Sequence, residues 1–223
     1  MIEIAKSFLD WSEVWALLIP LIVLGIRRKQ PSYFKPVIVY IWLALFLDIL
    51  IDLGSNFKEF VPGWIHPNNY IYNIHSIVRF ICFGYFFILL KQPFFTRLKK
   101  TIPFVSLVFI IINFIILKED FFKASPISSR LFSVEAGLLL LYCILYYLYT
   151  IHSENTTSHK EPHYWVVIGL STYVVFNFPY FLFYSSLITN HIAFVLNMWY
   201  FHNITFIILC IFIAKAFYVS RRN

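Results

Sequence analysis

The chain has 223 residues, of which 60% are hydrophobic and 13% charged, and its mean hydropathy is +0.74. A soluble domain rarely combines such values. Apolar runs recur from one end to the other, so the composition is that of a protein crossing a bilayer several times. The net charge of +7 sits in short clusters beside the apolar runs; it reports membrane topology and argues against nucleic acid as a partner.

The first residues, MIEIAKSFLDWSEVW, carry acids and no basic n-region, so a cleaved signal peptide is not expected. About 20 apolar residues cross a bilayer, and seven stretches qualify: 11–27, 35–55, 69–91, 101–118, 131–151, 163–188 and 192–216. The breaks between them (RRKQPSYFKP, SNFKEFVPGWIHPNN, KQPFFTRLKK, KEDFFKASPISSR, HSENTTSHKEPH and SLITNH) hold turn formers and charge.

The first span contains Pro20 and the second carries Asp48 and Asp52. The third opens on YIYNIHSIVRF, which brings Tyr72, Asn73, His75, Ser76 and Arg79 into an apolar helix. The fourth, TIPFVSLVFIIINFIIL, has only Asn113 and hydroxyls and is expected to face lipid most. Glu135 lies near the start of the fifth, and Asn177 lies in the sixth just before Pro179. The seventh holds Asn197, His202 and Asn203. The expected fold is an all-α integral membrane protein, a single seven-transmembrane-helix domain over 1–223. Loops no longer than about 15 residues leave no room for a large soluble domain.

Basic residues set the orientation. One side of the bundle holds Arg27, Arg28, Lys29, Lys35, Lys91, Arg97, Lys99, Lys100, Lys160, Lys215, Arg221 and Arg222. The other holds Lys6, Lys58, Lys118, Lys123 and Arg130 among the acids Glu3, Asp10, Glu13, Glu59, Glu119 and Asp120. The positive-inside rule then puts the N-terminus outside and the C-terminus in the cytoplasm.

Ionisable groups at membrane depth are costly and default to a functional reading. With a rise of 1.5 Å per residue, Asp52 lies about 6 Å and Asp48 about 12 Å below the outer surface. On the same scale His75 lies about 9 Å deep and Arg79 about 15 Å, and His202 and Asn203 also come out near 15 Å. If the consecutive second and third helices touch, Asp48 pairs with Arg79 and Asp52 approaches His75. Together with Tyr72, Glu135, Asn177 and Asn197 these residues form a candidate ligand-binding set in the outer half. The competing reading is that the set only holds helices together.

Other chemistries fit less well. His75 and His202 could ligate a b-type haem from two helices, but no second histidine pair accompanies them. No HExxH is present for a membrane metal-dependent hydrolase. Cys82, Cys143 and Cys210 sit in apolar runs without a CxxC and read as packing residues. The only lysine of the seventh span is Lys215, at its cytoplasmic end, so a retinal Schiff base is not expected, and DRY and NPxxY are absent.

NIHSIVRF in the third span can be laid on YFHNITFI in the seventh, at an offset that brings Asp48 close to Asn177. Helices 1–3 would then correspond to 5–7, a 3+1+3 parallel repeat of the kind found in small SWEET-like transporters, although that family's proline–glutamine signature is missing. The segments YNIHSIVRFICFGYFF, YWVVIGLSTYVVFNFPYFLF and HNITFIILCIFIAKAFY resemble small seven-helix membrane proteins of Bacteroidota, often encoded beside sensor histidine kinases. That resemblance implies a sensing component of the bacterial cytoplasmic membrane with a separate cytoplasmic effector.

The sequence reading is therefore a non-enzymatic sensor or receptor-like protein that takes a small ligand, ion or protons into an outward-facing polar pocket. Its expected partners are the lipid bilayer and a signalling protein such as a histidine kinase, with a homo-oligomer left open. A small transporter using the same pocket is the alternative.

Overall fold

A computed structural model describes residues 8–56, 69–90, 96–116, 128–152 and 161–220. Among them seven α-helices follow one another and no strand occurs. They are α1 (Ser12–Ile26), α2 (Lys35–Asn56), α3 (Asn69–Leu89), α4 (Thr96–Ile111), α5 (Ser129–His152), α6 (Pro162–Asn190) and α7 (Ile192–Val219). A 3-10 turn, Ser32–Phe34, precedes α2, and a π-helical turn, Ile112–Ile116, continues α4. The segments that hold Lys6, Lys58, Lys91, Lys118, Lys123, Lys160, Arg221 and Arg222 lie outside the described residues.

Each expected span is a helix, but they are not equal. Six are long and apolar enough to cross a membrane. The 15 residues of α1 rise only about 22 Å, short of a hydrocarbon core of about 30 Å. Trp11, at φ −87° and ψ 5°, separates α1 from the helical residues 8–10, and the Arg27–Arg28–Lys29 run ends it on the other side. In α4 the helix begins at Thr96, five residues before the expected 101, because the basic TRLKK turn is itself helical. Pro162 opens α6, where its missing N–H leaves no bond unmade.

Six helices close into a ring. Chain neighbours α1–α2–α3 and α5–α6–α7 pack side by side, α3 packs on α5, and α7 returns to α1. α4 stands outside, against α3 and α5. Only 22% of its apolar window is buried, against 44–61% in the other spanning helices, which agrees with the lipid-facing role its composition implies. The outer surface is largely apolar: Trp42, Phe46, Ile81, Phe104, Ile151 and Phe183 are all more than half exposed. Such a surface needs hydrocarbon around it, so the chain is an integral membrane protein.

Helix association in lipid depends on close packing rather than on apolar burial. Gly169 lets α6 and α7 approach closely, since a Cβ there would come within 2.7 Å of Phe212 Cβ and 3.3 Å of the Leu209 backbone.

The two ends of the ring differ. At the end where α2 and α6 finish and α1, α3, α5 and α7 begin lie Glu13, Asp48, Asp52, Arg79 and Glu135. At the opposite end lie Arg27, Arg28, Lys29, Lys35, Arg97, Lys99, Lys100 and Lys215, and the core there is aromatic. Phe34 packs edge-on to Phe217 at 5.4 Å and parallel to Phe86 at 6.2 Å, while Phe87 stacks on Tyr142 at 5.1 Å. Gln30 closes this end by donating to the carbonyls of Arg27 and Phe217, and it accepts from Ser220 at 2.6 Å. Lys215, the lysine weighed for retinal, sits 3.3 Å over the Trp165 ring at this basic end. The three cysteines are buried and unpaired, as packing residues would be.

Candidate functional site: a buried polar centre at the acidic end of the ring

Three linked groups make up the centre. The first joins α3 to α5. Arg79 meets Glu135 through both guanidinium edges, Nε to Oε1 at 2.5 Å and Nη2 to Oε2 at 2.7 Å, and Ser76 Oγ donates to Oε2 at 2.5 Å. Arg79 also lies 5.0 Å above the Tyr173 ring of α6. All of these groups are buried. Charge burial of this kind is tolerated when the pair is bidentate and its remaining lone pairs are bonded.

The expectation that Arg79 pairs with Asp48 is therefore wrong, and the ring explains why: α3 lies between α2 and α5. At 100° per residue His75 and Arg79 are about 40° apart around α3. That is enough for His75 to turn toward α2 while Arg79, one turn on from Ser76, turns toward α5.

The second group joins α2 to α3. Asp48, 1% exposed, places Oδ1 3.3 Å from His75 Nδ1. The Tyr40 hydroxyl is 3.5 Å from His75 Nε2, and the two rings lie 5.9 Å apart. His75 thus takes Asp48, not the expected Asp52. Asp52 is half-buried one turn nearer the end of α2. Neither Asp48 oxygen accepts a hydrogen bond from the described residues.

The third group joins α1, α6 and α7. Asn177 Nδ2 donates to the Tyr173 carbonyl at 2.7 Å and to Thr205 Oγ1 at 3.0 Å, and Thr205 in turn donates to the His202 carbonyl at 2.8 Å. With the amide nitrogen committed to two acceptors, Asn177 Oδ1 must be the acceptor for His202 Nδ1 at 2.6 Å. Nδ1 therefore carries a proton, and His202 can exchange its second proton only at Nε2. Nε2 lies 3.5 Å from Glu13 Oε1. Trp199 stacks on the imidazole at 5.0 Å, with Tyr173 and Phe181 edge-on at 5.5 Å each.

These groups form one electrostatic unit. Glu13 acts on Asp48, Asp52, His75 and His202, and Arg79 acts on Asp48, His75 and His202. Of the residues expected from sequence, Asp48, His75, Arg79, Glu135, Asn177 and His202 are brought together. Tyr72 borders them, edge-on to Trp199 at 5.9 Å. Asn197 does not belong, because it is exposed; five residues from His202, it points about 140° around α7 from that ring. Asn203 is buried but turned aside, its Nδ2 donating to the Leu9 carbonyl at 2.9 Å. Glu13 is the member that sequence reasoning missed. It was grouped with the loop acids, yet Ala16, Leu17 and Pro20, at i+3, i+4 and i+7 from it, mark the buried face of α1.

Among the described residues no three His, Cys, Asp or Glu side chains assemble as a metal-ligand set. Both nitrogens of His75 and both of His202 face side chains, so a haem iron would have to displace Asp48, Tyr40, Asn177 or Glu13. No protein-family model, curated protein or solved structure matches the chain.

Proposed function

We propose that this protein is a membrane sensor of receptor-like type, in which the polar centre takes up a proton or small ligand from the outer face and a separate cytoplasmic partner reads the result. One observation carries the reading: each of the six ring helices contributes to the centre, through Glu13, Asp48, His75 with Arg79, Glu135, Asn177 and His202. A change there bears on every helix contact at once. Beside the Arg79–Glu135 pair, Asp48 meets the His75 imidazole and Glu13 meets that of His202. The charge of the centre then depends on the protons that Glu13, Asp48, His75 and His202 share.

The basic end of the ring would face the cytoplasm by the positive-inside rule. Its exposed Arg28, Arg97 and Lys100 offer a surface for an acidic partner such as a histidine kinase, and a bacterial cytoplasmic membrane suits this arrangement. Transport is the second reading. The ring contacts are those a two-fold relation of α1–α3 to α5–α7 would produce, since it maps the α1–α7 seam onto the α3–α5 seam. Against it stands the aromatic core of the basic half, which supplies no polar path onward.

Reconstitution in liposomes separates the two. Tryptophan emission, which includes Trp199 stacked on His202, is expected to change as external pH is stepped between about 5 and 8. The change should be lost in His202→Gln while the lumenal pH stays constant. Sustained proton entry that His202→Gln abolishes would favour the transporter, and an emission spectrum indifferent to pH would remove the proton as the signal.

A further inference from the structure

α4 is anchored to the ring near both ends, and Ile102 and Ile110 pack inward between them. At its first turn the Tyr142 hydroxyl donates to the Lys99 carbonyl at 2.9 Å, and Lys99 Nζ donates to the Phe87 carbonyl at 3.4 Å. At its far end Phe114 packs against the second apolar cluster of the protein. Between these anchors α3 and α4 enclose a cavity of about 500 Å³, lined by Phe80, Ile81, Tyr85 and Ile88 on one wall and by Ser106 and Leu107 on the other.

We infer that this cavity holds one acyl chain of an anionic phospholipid, with the phosphate on the first turn of α4. Length supports this. The lining runs from Ile77 to Ile88 along α3, about 16 Å of helix, which is the depth of one leaflet of a hydrocarbon core about 30 Å thick. Access supports it too: the rim residues Ile81, Tyr85 and Leu107 are each more than half exposed on the lipid-facing surface. Charge then selects the head group. Pro103, at the lower edge of the cavity, lies one turn from Lys100, and Arg97 and Lys100 are both exposed there. The backbone N–H groups that open α4 add to the pull on a phosphate. The site is independent of the polar centre and of which leaflet the basic end faces.

Native mass spectrometry of the full chain in detergent tests the inference, with phosphatidylglycerol and phosphatidylcholine as probes. One phosphatidylglycerol should be retained per chain. Each basic residue near an anionic surface contributes about a fivefold preference, so Arg97→Gln with Lys100→Gln should lower the selectivity over phosphatidylcholine roughly 30-fold. Ser106→Phe, which fills the cavity from the α4 side, should abolish retention of both lipids. Leu107→Trp is the second filler, and thermal melting shows which variant keeps its fold. Equal retention of the two lipids by the unmodified chain would overturn the inference. So would a folded cavity-filling variant that retains lipid normally, or a dimer that such a variant dissociates, which would assign the cavity to a second copy.

Discussion

The acidic and basic ends of the ring are held together by different physics. At the acidic end the contacts are directional, and each side chain meets specific polar partners: Arg79 with Glu135, His75 with Asp48, His202 with Asn177 and Glu13. At the basic end, broad rings pack on one another and a few polar groups reach backbone carbonyls, as Gln30 does at Phe217 and Tyr142 does at Lys99. Apolar packing tolerates exchanges of similar volume, whereas a buried ionic network does not tolerate losing one member. The half with exacting partners is the half suited to respond to a signal, and the other half gives it a fixed base.

The largest expected effect breaks the acidic end. Arg79→Met should cost about 3–5 kcal/mol by leaving Glu135 buried without its cation. Arg79→Met with Glu135→Met should recover most of that loss, and unfolding of the purified protein in bicelles measures both. If the single and double variants are equally unstable, the pair is not the unit described. Next comes helix packing in the basic half. Gly169→Ala should cost about 1–3 kcal/mol by driving Phe212 and Leu209 away from α6, read by the same unfolding assay; an unchanged midpoint would mean that the crossing is looser than its geometry.

Asn177→Leu should cost only about 1 kcal/mol, the scale of interhelical hydrogen bonds in membranes. It sharpens the comparison because it frees the His202 ring. Nitrogen chemical shifts of His202 should report a mixture of tautomers, where the unmodified protein holds its proton on Nδ1. The smallest effect belongs to the basic end. Tyr142→Phe removes the bond to the Lys99 carbonyl and should cost about 0.5–1 kcal/mol with no change in the pH response of tryptophan emission.

The spans were legible because apolar runs of bilayer length alternate with charged turns, and those two signals are local. Placement of the helix starts at 35, 69 and 192, and of the sixth at 163 against 162 in the structure, needed nothing from the rest of the molecule. The pairing of Arg79 was not legible in the same way. Depth along the membrane put Asp48 about 12 Å and Arg79 about 15 Å below the outer surface, and the assumption that consecutive helices supply the partner chose the wrong one. Only the ring order, with α5 beside α3, decides it. Glu13 carried a usable signal in the buried face of α1, but its place at the start of a short helix made it look like a loop acid. Asn197 misled in the opposite direction, because depth without helical phase puts an exposed amide beside a buried imidazole.

The seam between α1 and α7 has a consequence for how the chain is made. Its polar contacts join Glu13 to His202 and Leu9 to Asn203, and at the other end Gln30 meets Phe217 and Ser220. During synthesis α1, α2 and α3 enter the membrane long before α7 exists. Glu13 must therefore wait in the bilayer for its imidazole until about 190 further residues have been translated. Arg79 and His75 wait as well, the first for α5 and the second only for a correctly docked α2. A nascent chain arrested before α7 would display unmet polar groups at membrane depth, the kind of lesion that membrane quality control can recognise. Closing the ring is thus the last event of assembly, and the step at which Glu13 meets His202.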